Sequence, residues 1–475
     1  MNFSRLLLAL VSLASIAAPA FGADPARPNI LFIAVDDLRP QLACYGQTQM
    51  KTPHIDALAK SGVLFTKSYC QTSVCGASRA SLMTGLRPAE GRFRHFAARA
   101  DKEAPGVLTL PKHFKNNGYH TLALGKIFHF ADDNAQGWSQ PHYSPPDSWP
   151  GYHDEATKAK AAAESRRNKN IYGPPWEFAE CEDNGYPDGR TAEQAIGDLK
   201  KLKEQGKPFF MALGFAKPHL PFTAPKKYWD LYDHNAIPLA KNGSAPQGAP
   251  KQAMHDWREL RGNYSGMPRK GPCSEALSRN LVHAYYACVS YTDAQVGKVL
   301  DELDELGLAD NTVVILWGDH GYQLGEHGMW VKHCVFETSL RVPLIVRAPG
   351  AKRSVESAAL TELVDMYPTL CDLAGIPKPA HLEGLSMAPL LKDPQRPWKK
   401  GIYGSYGRGW SVSDGRYVYS EFRDKGKVVA RMLYDHQTDP DENVNVVDKP
   451  ENKEAVDKLA RLLSEGYKSA LPDAK

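Results

Sequence analysis

Four apolar segments of this chain end in charged residues, and this pattern restricts the fold more than any other feature. Asn29–Val35 is a continuous apolar run followed directly by Asp36 and Asp37. A run without polar alternation is typical of a strand that is buried on both faces of a parallel sheet. The other segments have the same form: 121–124 leads into Lys126, 208–215 leads into His219, and 312–317 leads into Asp319 and His320.

Predicted helices alternate with these strands. The sequence predicts helices over 52–61, 109–117 and 282–306, and further strands over 63–65 and 344–346. Such alternation is typical of an α/β doubly wound sheet, in which ligands bind outside the carboxyl ends of the strands. We therefore expect the charged residues of the four strand ends to meet at one edge of the sheet.

Two regions depart from this alternation. Residues 132–190 are rich in Pro, Gly, Trp and charge and show little periodicity, which predicts a long loop of the kind that is a functional lid or disordered. From about Pro394 the sequence predicts strands over 402–410, 417–419 and 432–434, then a helix over 455–467. The predicted organisation is a catalytic domain over 23–393 and a smaller α+β subdomain over 394–475.

The amino terminus has the pattern of an export signal. Arg5 precedes an apolar run over 6–18, and small residues suited to cleavage follow at 18–22. The alternative is a membrane anchor, but the run is short for a spanning helix. We expect a signal peptide over 1–22 and an exported protein, periplasmic or secreted, without stable membrane insertion.

Charge and cysteine content exclude some classes of protein. A net charge of +4 over 475 residues is too small for a dedicated nucleic-acid binder, which would carry a concentrated basic surface. The eight cysteines are scattered without a Cys-x-x-Cys pair, which excludes zinc ribbons and thioredoxin-type sites. An exported protein can form disulfides, but the spacing assigns no pairing.

Cys75 lies in the most informative local segment, 73–85. It precedes a predicted helix start, where free N–H groups and the helix dipole favour negative charge. Arg79 follows one helical turn later on the same face. A Cys-x-x-x-Arg spacing alone is more often a buried thiol beside a surface arginine. Combined with the strand ends, it indicates an anion-binding site.

Acidic residues at two strand ends indicate a cation site. Asp36, Asp37 and Asp319 offer the several oxygen ligands that hard divalent ions need. A solvated turn with helix-capping acids is the alternative for adjacent aspartates. His320 would be a further ligand, although imidazole suits transition metals better than calcium.

Further basic residues follow the strand ends. His327 and Lys332 lie in or beyond the glycine-rich segment 318–328, where backbone can approach a ligand closely. Both would be cations near an anionic group of the substrate; a solvated basic loop is the alternative. Lys126, with His129 close behind it, and His219 follow two other strands. A neutral imidazole near pH 7 can exchange a proton with a leaving oxygen.

Together these segments resemble type I sulfatases of the alkaline-phosphatase superfamily, and most closely the iduronate-2-sulfatase type. The resemblance covers nearly the whole chain after the predicted signal. It is carried by 35–40, 44–46, 53–56, 73–85, 125–129, 191–195, 217–222, 318–332, 433–435 and 439–440. It implies an alkaline-phosphatase-like large mixed sheet flanked by helices, with a smaller C-terminal α+β subdomain.

The resemblance also implies a mechanism. Cys75 is converted by a formylglycine-generating enzyme to formylglycine, whose hydrate attacks sulfur and then releases sulfate. A calcium ion is held by Asp36, Asp37, Asp319, His320 and the modified Cys75. Arg79, Lys126 and Lys332 surround the sulfate. His129 and His219 act near the nucleophile and the leaving oxygen.

The expected substrate is a sulfated oligosaccharide or polysaccharide bearing 2-O-sulfated uronic acid or a related unit, and the implied process is glycosaminoglycan or polysaccharide degradation. Residues 132–190, Arg408 and Trp410 are candidates for the pocket wall, with Arg408 pairing a carboxylate and Trp410 stacking on a sugar. A surface arginine and a core tryptophan are the alternatives. Three other activities stay open: a phosphate or phosphonate ester hydrolase, a sulfatase for neutral sugars, and a non-catalytic sugar-binding relative.

Overall fold

The four predicted strand ends lie side by side in the computed structural model, which describes residues 27–472. The predicted signal peptide, 1–22, lies outside the described residues. In chain order the strands are β1 Asn29–Val35, β2 Val63–Tyr69, β3 His120–Gly125, β4 Trp176–Glu177, β5 Phe209–Phe215, β6 Phe222–Thr223, β7 Thr312–Gly318, β8 Arg341–Arg347, β9 Val355–Ser357, β10 Thr361–Glu362, β11 Ile402–Tyr406, β12 Gly409–Ser413, β13 Tyr417–Asp424 and β14 Lys427–Asp435.

An eight-stranded mixed sheet forms the centre, in the order β10-β2-β8-β7-β1-β5-β3, with β9 paired to β2. The neighbours β7, β1, β5 and β3 are parallel, whereas β8 runs antiparallel to β7 and β2. Val35 pairs with both Phe215 and Gly318, so three of these strands end at the same level. This register brings the residues that follow them to one edge, as predicted.

Helices pack around this sheet. They are α1 Pro53–Ser61, α2 Cys75–Thr84, α3 Ala100–Glu103, α4 Leu110–Asn116, α5 Glu155–Arg167, α6 Pro187–Gln205, α7 Lys226–Trp229, α8 Arg258–Asn263, α9 Glu275–Glu305, α10 Glu337–Leu340, α11 Met366–Ala374, α12 Ala388–Lys392 and α13 Lys453–Glu465. Helix α9 begins earlier than predicted because the Ser274 side chain caps it, accepting a hydrogen bond from the Leu277 N–H at 3.3 Å. No helix within residues 27–472 is long and apolar enough to cross a bilayer.

The prediction that 132–190 is a long loop is wrong in part. Helix α5 lies inside this region, capped by Asp154, which accepts from the Thr157 N–H at 2.8 Å. Its sequence is mostly Ala, Lys, Glu and Arg, and Ala161 is its only buried residue. A helix with so little buried apolar surface has no hydrophobic stripe for a periodicity search to find.

The C-terminal sheet has the antiparallel order β11-β12-β13-β14. The predicted strand over 402–410 is a hairpin, because the chain turns at Gly407, which has φ 53°. One face of the sheet joins the main core, through residues such as Phe422 and Met432. The other face packs on α13, where Val412, Tyr419 and Leu433 meet Val456 and Leu459. All eight cysteines are unpaired thiols.

Candidate active site

Three carboxylates meet at the carboxyl edge of the central sheet. Asp36 and Asp37 follow β1, Asp319 follows β7, and all three are fully buried. Asp37 has φ 58°, so the chain leaves the extended conformation between the two adjacent aspartates. The N–H groups of Asp37 and His320 both donate to Asp319 Oδ1, at 3.1 and 3.0 Å. These bonds tie the ends of β1 and β7 together and hold the three acids in one group.

Arg79 lies behind these carboxylates with no solvent exposure. Its Nε donates to Asp319 Oδ2 at 2.8 Å, and its Nη2 lies 3.5 Å from Asp36 Oδ1. Its Nη1 donates to the carbonyl oxygens of Lys126 and Ile127. The sequence interpretation placed Arg79 around the sulfate; in the structure its guanidinium contacts two of the carboxylates and the chain after β3.

Cys75 is the first residue of α2 and is almost completely buried. The preceding residue, Val74, has no side-chain acceptor to cap the helix, so the first N–H groups remain available to an anion. Gly76 is required after Cys75, because a Cβ there would collide with the carbonyl oxygen of Phe96. The loop containing Phe96 thus lies directly against the start of α2.

The electrostatic field at Cys75 favours an anion. Burial and the charge of Asp36 raise the pKa of the Cys75 thiol, but Lys126, Lys332 and His320 outweigh them and hold that pKa well below its usual range. Of these groups, His320 directly contacts the thiol, with Nε2 3.2 Å from Cys75 Sγ. A group at this position that carries or develops negative charge is therefore stabilised.

Two lysines supply the positive charge. Lys126 follows β3 and donates to Asp36 Oδ2. Lys332 Nζ donates to Asp37 Oδ2 at 3.2 Å and lies 3.0 Å from His219 Nε2. Burial lowers the pKa of Lys332, but Asp37 and other acids raise it well above its usual value. Both side chains are therefore charged and face the same small volume as Cys75.

His219 is held by the loop that follows β5. Its Nδ1 lies 2.6 Å from the Leu220 carbonyl oxygen, so Nδ1 carries the donated proton and Nε2 faces the cavity. Lys217 Nζ donates to the His219 carbonyl oxygen at 2.9 Å, and Asp188 accepts from the Lys217 N–H at 2.8 Å. Burial lowers the pKa of His219, but the charge of Asp37 and its neighbours raises it to about 9.

Glu259 is a site residue that the sequence analysis missed. It lies on the short helix α8, and its Oε1 accepts from Lys332 Nζ at 2.9 Å and lies 3.2 Å from His219 Nε2. Burial raises the pKa of Glu259, but Lys332 and His219 hold it well below its usual range. Because α8 follows no strand and has no apolar periodicity, nothing in the local sequence pointed to this residue.

One cavity of about 530 Å³ opens over these groups, within the ~300–1,000 Å³ typical of small-ligand pockets. The lining residues predicted as catalytic are Cys75, Lys126, His129, His219 and Lys332. His129 Nδ1 is buried and makes no hydrogen bond to any described residue. It is therefore free to bond a ligand. Part of the wall is formed by residues 142–149 and Tyr172, as expected for the region 132–190.

Three predicted substrate contacts are wrong in position. His327 packs on Phe336, and its Nε2 lies 2.9 Å from the Asp441 carbonyl oxygen. Arg408 is exposed and pairs with Asp424 at 3.1 Å. The Trp410 ring lies under the guanidinium of Arg94, 4.0 Å from its centre. Within residues 27–472 the cavity wall is built without His327, Arg408 and Trp410.

The carboxylates fit a divalent cation. Oδ1 of Asp36 and Oδ1 of Asp37 are buried and accept no hydrogen bond from the part of the chain that the structure describes. Buried acceptors are almost always bonded, so both atoms need a partner. Two sets of donor atoms lie within 4.8 Å of one another: Asp36, Cys75, Asp319 and His320, and Asp36, Asp37, Cys75 and His219. The carboxylate oxygens suit a hard ion such as calcium.

Comparison with known families and proteins agrees with this geometry. Residues 28–376 match the family model for Sulfatase, and residues 325–469 match the model for N-sulphoglucosamine sulphohydrolase, C-terminal. Iduronate 2-sulfatase of Mus musculus is 37% identical over 387 residues, which cover 74% of this chain and 69% of that protein.

Two solved structures have the same fold. A phosphonate monoester hydrolase from Silicibacter pomeroyi superposes with a TM-score of 0.75 at 22% identity, covering 94% of this chain and 96% of that one. A 2-O GAG sulfatase superposes with a TM-score of 0.71 at 24% identity, covering 92% and 91%. At these identities the likeness supports the fold and leaves the substrate open.

Proposed function

This chain belongs to the sulfatase family of the alkaline-phosphatase superfamily and is a sulfuric ester hydrolase, and we propose that it removes sulfate from a 2-O-sulfated uronic acid, or a related unit, of a sulfated glycan. We further propose that Cys75 acts as formylglycine and that a calcium ion is the cofactor. The observation that carries this proposal is the convergence of Cys75, two lysines and carboxylates with unbonded buried oxygens at the base of one cavity.

The cofactor site is proposed from the donor set. Asp36, Asp37 and Asp319 would hold the ion, with His320 and residue 75 completing the set. A bound calcium ion supplies positive charge that neutralises sulfuryl oxygens. Formylglycine, as its hydrate, supplies one hydroxyl that attacks sulfur and a second that allows sulfate to leave. Arg79 would keep the carboxylates in place through its bonds to Asp319 and the backbone.

The remaining residues bind the anion and handle protons. Lys126 and Lys332 line the cavity and would stabilise the charge that develops on the sulfate oxygens. His219 presents Nε2 to the cavity and would donate its proton to the leaving sugar oxygen. His129, whose Nδ1 makes no hydrogen bond to a described residue, would exchange a proton with the nucleophile at residue 75. A sugar alkoxide is a poor leaving group, so proton donation is expected to matter more for glycans than for aryl sulfates.

Similarity supports the proposed substrate. The mouse relative is named for iduronate 2-sulfate, and one neighbour in fold is a 2-O GAG sulfatase. The proposal also includes a partner in maturation, a formylglycine-generating enzyme, and export from the cell by the predicted signal at 1–22. Carboxylate recognition is no longer assigned to Arg408, because that side chain pairs with Asp424 away from the cavity.

A substrate panel tests the proposal. The protein, co-expressed with a formylglycine-generating enzyme, is assayed for release of inorganic sulfate or phenol from a 2-O-sulfated uronate disaccharide, a 6-O-sulfated galactose, an aryl sulfate and a phenyl phosphonate monoester. We expect the uronate substrate to have the highest kcat/KM. Faster turnover of the galactose sulfate would contradict the acidic sugar, and faster turnover of the phosphonate would contradict sulfate as the preferred group.

Mass spectrometry tests the nucleophile separately. The peptide spanning Cys75 from the active enzyme should contain an aldehyde in place of the thiol. A fully active preparation that contains only the thiol at residue 75 would exclude formylglycine.

A further inference from the structure

The carboxylate of Glu259 connects two residues of the active site. Its Oε1 accepts from Lys332 Nζ at 2.9 Å and lies 3.2 Å from His219 Nε2, and its Oε2 lies 2.8 Å from the same Nζ. Within residues 27–472 these are the only hydrogen bonds and ion pairs of this carboxylate. Lys332 Nζ and His219 Nε2 themselves lie 3.0 Å apart. The three side chains therefore contact one another pairwise, although the proposed reaction gives a role to only two of them.

The start of α8 is built to direct Glu259 into the cavity. Trp257, two residues earlier, has φ 42° and ψ 48°, a left-handed conformation that bulky residues rarely adopt. Its buried ring lies 3.4 Å from the Arg261 guanidinium, and its N–H donates to His255 Nδ1 at 2.8 Å. Such conformations persist only where the surrounding structure enforces them, and they concentrate at functional sites. The turn at Trp257 sets the direction in which α8 begins, and with it the position of Glu259.

The far end of α8 is also fixed by the rest of the chain. The Asn263 carbonyl oxygen accepts from the Tyr172 N–H at 2.8 Å, and the Ser265 N–H donates to the Gly173 carbonyl oxygen at 2.9 Å. A helix of six residues has little stability of its own, so these contacts determine where it lies. Glu259 is thus placed by tertiary contacts on both sides, which a residue with a positional role requires.

This placement matters for His219, the proposed proton donor. Its Nδ1 bonds the Leu220 carbonyl oxygen, so only Nε2 can reach a leaving oxygen. The Lys332 ammonium has three N–H groups. One goes to Asp37 Oδ2 at 3.2 Å and a second to Glu259 Oε1, which leaves the third for the sulfate.

Without the Glu259 carboxylate, a second N–H of Lys332 has no acid to bond. The nearby His219 Nε2, at 3.0 Å, is then its acceptor. A ring nitrogen that accepts a hydrogen bond from an ammonium group cannot donate a proton of its own. A carboxylate is the stronger acceptor for an ammonium group, so Glu259 prevents this pairing.

We propose that Glu259 is a positioning residue for proton donation: it engages Lys332 and so keeps His219 Nε2 available to protonate the leaving oxygen. The proposal rests on the proposed function, because His219 is the donor in that reaction. Glu259 takes no part in the bond changes. The proton passes from His219 Nε2 to the leaving oxygen, which also keeps the electron pair of the broken sulfur–oxygen bond. The importance of Glu259 should therefore grow with the basicity of that oxygen.

Leaving-group dependence tests this role. The wild type, Glu259→Gln and His219→Ala are assayed on 4-nitrophenyl sulfate, on phenyl sulfate and on whichever sugar sulfate of the panel above is turned over fastest. A nitrophenolate leaves without a proton, whereas a sugar alkoxide needs one. We expect Glu259→Gln to lower kcat/KM less than about threefold for 4-nitrophenyl sulfate and about tenfold or more for the sugar sulfate. Equal losses on all three substrates would overturn the proposal.

A double variant and a matched control assign the effect to His219. Added to His219→Ala, Glu259→Gln should cost the sugar sulfate less than about a further threefold, because no donor is left to position. Glu326→Gln is the control: Glu326 is 15% exposed against 19% for Glu259, and it pairs with Arg39 outside the cavity lining. Any loss in this control should be the same for every leaving group. Additive losses in the double variant, or the same leaving-group dependence in the control, would reject the role of Glu259.

Binding of inorganic sulfate distinguishes positioning from structural damage and needs no catalysis. Glu259→Gln removes a negative charge beside Lys332, so it should bind sulfate at least as tightly as the wild type in calorimetric titration. Weaker binding would show that the sulfate site itself had been displaced, and would count against the proposal.

The outcomes also separate this proposal from the proposed function. If His219→Ala loses activity equally on all three substrates, His219 is not the proton donor, and both the proposed step and the role of Glu259 are rejected. If His219→Ala shows the leaving-group dependence and Glu259→Gln does not, the proposed reaction stands and only the role of Glu259 is rejected.

Discussion

Two clusters of buried charged residues in this molecule have similar compositions. They differ in whether every carboxylate oxygen accepts a hydrogen bond. The sheet-edge cluster comprises Asp36, Asp37, Arg79, Lys126 and Asp319, at the end of the central strands. The interface cluster comprises Arg87, Glu362, Asp365 and Lys399, between the central sheet and the C-terminal sheet. Each places acids and bases at less than about a fifth exposure, and each forms close ion pairs.

The carboxylates of the interface cluster are fully bonded without a ligand. The two carboxylate oxygens of Glu362 accept hydrogen bonds from Arg87 Nη1 and Nη2 at 2.6 Å each. Lys399 Nζ donates to Glu362 and to both oxygens of Asp365 at 2.6–2.7 Å. Backbone N–H groups supply the rest, so all four carboxylate oxygens accept two hydrogen bonds. By contrast, Oδ1 of Asp36 and of Asp37 accept none within the described residues. The unbonded oxygens therefore mark the cluster that is arranged for a ligand.

The largest effect should come from the nucleophile of the sheet-edge cluster. Cys75→Ala is expected to lower kcat by about 10⁴-fold or more, as removal of a nucleophile does in other hydrolases. The unfolding free energy should change far less than the activity, by about 0.5–3 kcal/mol, as for a typical buried substitution. Sulfate release and chemical denaturation measure the two quantities. The control is Cys70→Ala, another buried thiol, which should keep most of the activity.

Removal of the cation should separate activity from stability. Chelation, or Asp37→Asn, is expected to lower kcat/KM by about 10²-fold or more, because charge on the sulfate oxygens is then less well neutralised. Without calcium, Asp37→Asn should be at least as stable as the wild type, because burial raises the pKa of Asp37 and so disfavours its charged form.

Calcium titration checks this prediction. The wild type should gain about 2.7 kcal/mol at a hundredfold excess of calcium over Kd, whereas Asp37→Asn should gain much less. The shift in Tm with and without chelator is the measurement. Full activity after exhaustive chelation, or an equal calcium-induced shift in both proteins, would contradict the assignment of this cluster to a metal.

The interface cluster should behave in the opposite way. Lys399→Met removes the cation shared by Glu362 and Asp365 and leaves a buried acid without its partner, which typically costs about 3–5 kcal/mol. Turnover of an aryl sulfate per folded molecule should change by less than about threefold, since the cluster does not contact the cavity. Lys453→Met is the matched control, because the Lys453–Asp457 pair is exposed and worth about 1 kcal/mol or less. Equal stability of the two variants would contradict the comparison.

The same contrast shows how far the sequence could predict the molecule. Except for Arg79, which lies on α2, the acids and bases of the sheet-edge cluster follow apolar strands directly, and parallel strands in register must bring such residues together. Arg87, Glu362, Asp365 and Lys399 follow no such rule, because their proximity depends on how the C-terminal sheet docks. Glu259 escaped notice for the same reason: α8 reaches the cavity through an irregular connection rather than through the sheet.

Arg408 and Trp410 show a second limit on predicting the cavity wall from the sequence. Their chemistry suits a sugar acid and a sugar face, but the hairpin between β11 and β12 directs Arg408 to Asp424 and Trp410 to Arg94. The aromatic rings that do line the cavity, Trp149 and Tyr172, belong to the region without periodicity. The sequence correctly predicted that aromatic side chains line the rim of the cavity. Which aromatic residues do so depends on the tertiary path of the loops.

The smallest expected effect concerns the ion pair between His436 and Glu442, in the segment that follows β14. His436 Nε2 lies 3.2 Å from Glu442 Oε1, and Glu442 Oε2 accepts from the Glu337 N–H at 2.8 Å. Burial lowers the pKa of His436, but Glu442 raises it to about 9. Because this folded-state pKa exceeds the unfolded value of about 6.5, the stabilisation is fully present below pH ~6.5 and is lost as pH rises through ~9.

We expect the wild type to lose about 1–2 kcal/mol of unfolding free energy over that interval relative to His436→Gln. Urea denaturation of both proteins at pH 6, 7.5 and 9 measures the difference, and parallel pH profiles would show that this pair, unlike the interface cluster, contributes nothing to holding the two sheets together.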